Sequence, residues 1–351
     1  MGVKLFVDKR YICEIHRDLY DWINMQPNLI DREKGISLVD EAFHSGKRMS
    51  DWMKRKNTEA KKKMLIIDYP WGKTWLPLYI KAINKRGYAF SVWDGISEFN
   101  GEDPDVVLCT WADRDFTSKF PNARHFMMMR RFELFHSPWR TWNWEKIQRV
   151  ICCNPWIAAE MAEVIGKEKP IYIPNPLDTS LWRFEERTHG VRIGMACRLH
   201  PVKNLPLAAQ ILMALPANYE LHIIGKVDDS SIWAYMKNVL WGKRLKFHEP
   251  VPNGKMDFWW DKMHYCLSTS ISEGDPMNVL EAMAKGIKPI IHNWPGAMNI
   301  FGNSMVFDTV PQAVEMICGD SPYDSKEYRD FVVSENSPEL ADRVAELIDG
   351  V

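Results

Sequence analysis

Two glutamates, Glu273 and Glu281, stand in the stretch 271–297, ISEGDPMNVLEAMAKGIKPIIHNWPGA, one just before and one within what reads as a short helix. Asp275-Pro276 has the form of an N-cap followed by proline at the first helical position. Leu280, Met283, Ala284 and Ile287 recur at the helical period, and Gly286 closes the run ahead of an apolar strand over 287–291. A helix N-terminus presents free N–H groups and a partial positive charge, so it seats phosphate. Carboxylates on either side of that seat suit hydroxyl groups. A diphosphate with a sugar at each end fits the arrangement, and such a ligand is a nucleotide-sugar.

A glutamate at a loop and another on a helix are each ordinary solvated residues; the whole string is more specific. Glu-Gly-x-Pro-x-x-x-x-Glu-Ala-Met-Ala-x-Gly, followed by an apolar strand and a Pro-Gly turn, closely resembles the donor-site signature of retaining glycosyltransferases of the GT-B fold, family 4 in particular. Further segments resemble the same family in the same order. The stretch 194–203, GMACRLHPVK, is similar to a strand-loop motif whose Arg and Lys meet the donor diphosphate, here Arg198 and Lys203. Two cations there would stabilise the charge that grows on the leaving diphosphate. The stretch 173–178, IPNPLD, resembles an interdomain element, with Pro176 in place of the usual glycine.

The resemblance implies a set of roles. Arg198, Lys203 and Glu273 would carry the chemistry, Glu273 holding the transferred sugar. Gly194, Gly225, Glu249, Gly274, Asp275, Met277, Asn278 and Glu281 would line the donor site, with Glu281 on the ribose and the amides of Asp275, Met277 and Asn278 near the phosphates. Asp275 departs from the family, which more often has an apolar residue there; capping its own helix would reconcile that carboxylate with a nearby diphosphate, and contact with the sugar is the alternative. On the acceptor side the likeness is weaker. In place of the family's histidine the HFMMMRRFELF stretch offers Arg130 or Arg131, with His125 and His136 nearby, and Trp71 stands in an altered turn, 69–73. The co-substrate implied is a UDP- or GDP-sugar; no further cofactor and no metal is implied.

Strands alternating with helical segments call for doubly wound parallel sheets. The expected fold is α/β, a GT-B pair of Rossmann-like domains facing a central cleft, with an extra N-terminal basic segment. The expected divisions are 1–63 for that segment, packed on the acceptor domain, 64–178 for the acceptor domain, 179–335 for the donor domain with five strands, and 336–351 for a helix returning to the first half. The 351 residues suffice for two domains, and 46% hydrophobic and 26% charged residues with a net charge of −1 describe an ordinary soluble protein. No apolar run reaches the roughly 18 residues of a membrane span, and no signal-peptide pattern is present. Seven cysteines without C-x-x-C spacing suggest reduced thiols in a cytoplasmic setting.

What receives the sugar is open. Eight Lys and Arg lie between His44 and Lys63 against Asp51 and Glu59, and Arg130, Arg131 and Arg140 accompany Trp139, Trp142 and Trp144. Basic residues among aromatics suit a phosphate-rich acceptor with stackable rings; a solvated helix face over buried tryptophans is the plainer reading. Most relatives act on a glycan or glycolipid at the inner membrane face, where a basic segment would attract anionic lipid. A hydroxymethylated pyrimidine in phage DNA is the alternative, which would demand a flipped nucleotide; a protein or small molecule comes third. A non-catalytic nucleotide-sugar-binding protein, or a nucleic-acid-binding protein that borrowed the fold, is the reading from other classes.

Overall fold

A computed structural model describes residues 2–7, 10–16, 62–68, 75–240 and 244–350. The first two strands, β1 (Gly2–Val7) and β2 (Arg10–His16), pair antiparallel as a hairpin of their own. The basic segment up to Lys61 and the turn carrying Trp71 lie outside the described residues.

The first half builds a parallel sheet from β3 (Lys62–Ile67), β4 (Tyr88–Trp93), β5 (Val106–Cys109), β6 (Arg124–Met129), β7 (Ile147–Cys152) and β8 (Pro170–Tyr172), in the order β4-β3-β5-β6-β7-β8. Its helices are α1 (Leu76–Lys85), α2 (Arg131–His136) and α3 (Pro155–Ile165). The central strands are near-continuous apolar runs, as strands covered on both faces require. Asn154 caps α3 by accepting the Trp156 N–H, with Pro155 at the first helical position.

The second half repeats the plan with β9 (Arg192–Ala196), β10 (Glu220–Ile224), β11 (Leu245–His248), β12 (Tyr265–Ser268), β13 (Lys288–His292) and β14 (Val306–Phe307), ordered β11-β10-β9-β12-β13-β14 and all parallel. The helices here are α4 (Leu205–Ala214), α5 (Ser230–Leu240), α6 (Met256–Trp260), α7 (Met277–Ala284), α8 (Ala297–Phe301), α9 (Val310–Cys318) and α10 (Ser325–Glu335). The sheet has six strands where the sequence pattern showed five; β14 is two residues long and too short to carry a periodicity. Strand order reverses between β9 and β12, so the loops leaving those two strands flank one crevice at the carboxyl edge. Open α/β sheets bind ligands at such a point.

The last helix, α11 (Glu339–Asp349), buries Leu340, Ala341, Val344, Ala345 and Ile348 in one core with Tyr79, Ala82 and Ile83 of α1. Arg86 reaches Glu346 and Asp349, both at 2.8 Å, and Lys85 reaches Asp342 at 3.0 Å. Exposed pairs of this kind contribute about 0–1 kcal/mol each, so the apolar stripe is what holds the chain's end on the first sheet. Among the described residues, no helix is long and apolar enough to cross a membrane.

Candidate donor-binding site

Lys203 and Glu273 meet at the point where the second sheet reverses its order. Lys203 follows β9 on a single 3-10 turn, Glu273 follows β12, and Lys203 Nζ lies 2.5 Å from Glu273 Oε1. Ser270 Oγ donates to the same carboxylate oxygen at 2.6 Å, and Thr269 Oγ1 donates to the Lys203 carbonyl at 2.8 Å. Burial disfavours the Lys203 ammonium, but the facing Glu273 carboxylate outweighs that cost and holds its pKa above the ordinary value. Both side chains of the pair are half-buried.

A few residues away an open pocket of about 250 Å³ is lined by Ala196, Gly225, Pro250, Val251, Met256 and Glu281, among others. Gly225 at the end of β10 has φ +152°, and a Cβ there would stand 1.9 Å from the Cys197 carbonyl oxygen; only glycine lets these two loops approach so closely. Glu281 is buried on α7 and makes no side-chain hydrogen bond among the described residues. Burial alone pushes its carboxyl up to about 8. Glu249 is exposed and precedes the lining residues Pro250 and Val251.

A carboxyl whose pKa rises on folding favours the folded state at low pH and loses that contribution as pH climbs from its ordinary value, 4.5, to about 8. Glu281→Gln is therefore expected to match the parent in melting temperature near pH 4.5 and to exceed it increasingly towards pH 8. Thermal melts of both proteins across that range check the sign; a difference that stays flat with pH would count against a buried, uncompensated Glu281.

Asp275 does not cap α7, contrary to the sequence expectation. The N-cap is Pro276, whose carbonyl accepts from Val279 and Leu280 N–H at 2.8 and 3.2 Å. The Asp275 carboxylate is spent elsewhere: Oδ2 accepts from the Asn175 N–H at 2.8 Å and from Asn336 Nδ2 at 3.3 Å. Burial pushes its pKa up to about 7 against those hydrogen bonds. The amides of Met277 and Asn278, which precede the first bonded amide of α7, are left without intrahelical acceptors. Met277 packs against buried cores of both sheets, and Gly286 ends the helix region at φ +81°.

The first half touches this wall directly. A Cβ on Gly274 would lie 3.0 Å from Cys153 Sγ and 3.4 Å from the Arg131 N. Asn154 Nδ2 donates to the carbonyls of Glu273 at 3.3 Å and Pro295 at 3.2 Å. Arg130 is buried, its guanidinium 4.5 Å from the Trp75 ring and 4.9 Å from the Trp111 ring, with Nη1 donating to the Thr110 carbonyl and Nη2 to Asn175 Oδ1 at 3.4 Å. Arg131 is half-buried beside Gly274, and its charge reaches Lys203. Nε of both arginines is buried without a hydrogen-bond partner among the described residues.

The structure thus brings together Lys203, Glu273, Gly274 and Arg131, and places Gly225 and Glu281 in one pocket. Other expected residues stand apart. Arg198 is exposed and paired through Nε with Asp228. Gly194 is a packing residue inside β9: a Cβ there would meet Trp260 at 2.7 Å and Met263 at 2.8 Å, so it underlies the core instead of lining the cleft. His136 is exposed at the end of α2. Trp139 and Trp142 are core residues and Trp144 packs against them, so this cluster offers no stacking surface for bases. Asn154 and Asn336 were not singled out from sequence. Asn154-Pro155 carried a readable capping signal, whereas Asn336, just before the crossing helix, carried none.

Residues 181–314 match the model of the family described as Glycosyl transferases group 1. The chain as a whole has the GT-B fold, two six-stranded parallel sheets each packed with helices. Solved structures extend the likeness over both halves. HepE of Anabaena, in complex with UDP-glucose, superposes with a TM-score of 0.66 at 13% identity, covering 83% of this chain and 100% of its own. Sucrose-phosphate synthase of Thermosynechococcus elongatus gives 0.66 at 12%, covering 83% and 99%. AviGT4, a glycosyltransferase involved in avilamycin A biosynthesis, gives 0.59 at 14%, covering 82% and 97%. At such identities the likeness is one of fold. By sequence, the chain matches none of the curated proteins. The matched residues include the Lys203–Glu273 pair, Gly225 and Glu281, while Arg130 and Arg131 lie outside them.

Proposed function

We propose that this chain transfers a hexosyl or pentosyl group from a UDP-sugar to a hydroxyl acceptor, with retention of anomeric configuration. The observation that carries the reading is the convergence of Lys203 and Glu273 at the switch point, beside the pocket that holds Gly225 and Glu281. A nucleoside would occupy the pocket, its ribose hydroxyls donating to Glu281. The diphosphate would lie across the first-turn amides of α7 and Lys203, with the charge of Arg131 close enough to Lys203 to act on the same region. Arg198 would join by leaving Asp228. Glu273 would accept hydrogen bonds from the sugar.

As the bond between the sugar and the diphosphate breaks, negative charge grows on the leaving oxygen, and Lys203 stabilises it there more than in the ground state. The proton of the acceptor hydroxyl passes to a donor phosphate oxygen on the same face, so no side-chain nucleophile is required. UDP is favoured over GDP because HepE, with the same two-domain architecture, is seen with UDP-glucose. The division we adopt assigns 64–178 to the acceptor, 179–335 to the donor and 336–351 to the crossing helix, with 1–63 as an extension of the acceptor side. A glycan or glycolipid is the acceptor that fits best, since the tryptophans that suited DNA are core residues.

Incubation with UDP-glucose, UDP-galactose, UDP-N-acetylglucosamine and GDP-mannose tests the donor reading. Slow release of UDP from at least one of the three UDP-sugars is expected. Release from none of the four, with no binding of UDP, would overturn it. The anomeric coupling of any glycoside formed decides retention.

A further inference from the structure

We propose that Phe135 and Trp156 form a shelf that binds the face of a neutral sugar ring of the acceptor glycan, an inference that rests on the transferase reading and names the class of substrate its acceptor side takes. Phe135 is 53% exposed at the end of α2, and its ring lies nearly parallel to that of half-buried Trp156, with centroids 6.2 Å apart at 24°. An exposed phenyl ring beside a second aromatic offers apolar area whose cover by a ligand is favourable. Both elements that carry the shelf touch the donor wall. Arg131, at the start of α2, meets Gly274, and its guanidinium lies 5.9 Å from the Phe135 ring; Asn154, two residues before Trp156, bonds the Glu273 carbonyl. The row Arg131, Phe135, Trp156 is therefore carried by the two elements that touch the wall holding the Lys203–Glu273 pair, on the side from which an acceptor would approach.

Charge around the row decides its occupant. Arg131 stands at the inner end, while Glu160 and Glu163, four and seven residues after Trp156, are exposed on the same side of α3. Arg130, which would have added a second cation, is buried between Trp75 and Trp111. A nucleic acid or an anionic bilayer would meet those carboxylates at the outer end. A pyranose presents C–H groups from one face to the electron-rich faces of the rings, and hydroxyls at its rim to a guanidinium and to carboxylates. Mixed charge around an aromatic surface suits that ligand and disfavours a polyanion.

The test is binding of the full chain, in the presence of UDP, to an array of neutral oligosaccharides, with a hydroxymethylcytosine DNA duplex and phosphatidylglycerol vesicles as the other two probes. Binding to at least one oligosaccharide is expected, weakened about tenfold by Phe135→Ala and retained by Met213→Ala, an exposed apolar residue on α4. Phe135 is exposed, so its replacement leaves the core intact; Trp156→Ala supplies a second reading. Binding to the duplex or the vesicles alone, binding to no oligosaccharide, or oligosaccharide binding unchanged by Phe135→Ala each overturns the shelf. UDP-sugar hydrolysis by the unmodified protein is followed in parallel. Glycan binding without hydrolysis of any donor would leave the shelf standing and remove the transferase reading, and hydrolysis without glycan binding would do the reverse.

Discussion

Lys203→Ala is expected to lower turnover of the nucleotide-sugar by about 100- to 1,000-fold, the scale seen when a single preorganised donor to a developing charge is removed. The lysine is held by Glu273 at 2.5 Å and its own carbonyl is tied to Thr269, so its position is set before any ligand arrives. In the proposed reaction it faces charge that grows only as the glycosidic bond breaks, so the loss should fall on kcat more than on KM. Lys203→Arg should recover little, since a planar fork does not reproduce a point charge in a half-buried seat. UDP release at saturating donor measures the effect, with circular dichroism to confirm folding. A change below threefold would show that the diphosphate lies elsewhere.

The second large effect concerns stability. Trp260→Ala should cost about 3–5 kcal/mol, as for other fully buried large aromatics. The Trp260 ring is fully buried against Trp259, centroids 4.7 Å apart, and overlies Gly194 in the central strand β9. The absence of a side chain at Gly194 makes room for that ring. Removing the ring leaves a cavity that a central strand cannot move to fill. Urea unfolding followed by tryptophan-independent circular dichroism reads the shift in midpoint. A loss under 1 kcal/mol would mean the site collapses far more readily than a close-packed core does.

The contrast between Gly194 and Gly225 shows what the sequence carried and what it hid. Both glycines end or interrupt strands of the same sheet, and the resemblance assigned both to the donor site. One lines the pocket, pressed against the Cys197 carbonyl, and the other lies under a tryptophan sixty-six residues along the chain, and no local pattern distinguishes them. The doubly wound architecture was legible because each buried strand is a continuous apolar run. Strand β14 escaped because two residues have no period. The Lys203–Glu273 meeting was legible only through resemblance, since the two lie seventy residues apart and come together by the reversal of strand order.

The acceptor side shows the opposite failure. Arg130 next to several tryptophans reads as a surface for phosphates and bases, yet burial places the guanidinium between two rings and Trp139 under a core. Composition cannot tell a cation that faces water from one that packs against aromatics. Asp275 likewise read as a cap from its position before proline. Its hydrogen bonds instead reach residues 100 positions back and 61 positions ahead, beyond any local rule.

Those bonds also fix how the molecule can change shape. The chain passes between the halves near Asn175 and again near Asn336, and the two passages are bonded to each other: Asn336 Nδ2 donates to the Asn175 carbonyl at 3.0 Å, and the Leu177 N–H to the Asn336 carbonyl at 2.7 Å. Two tethers fastened side by side make a pivot and not a pair of rails. Any swing of one half would turn about that knot, and a given angle of swing would displace a group in proportion to its distance from it. Asp275, bonded to both passages, sits at the fulcrum, where displacement is least. A swing about it would have to release the hydrogen bonds from Asn154 to the Glu273 and Pro295 carbonyls, which hold the facing half against the donor wall.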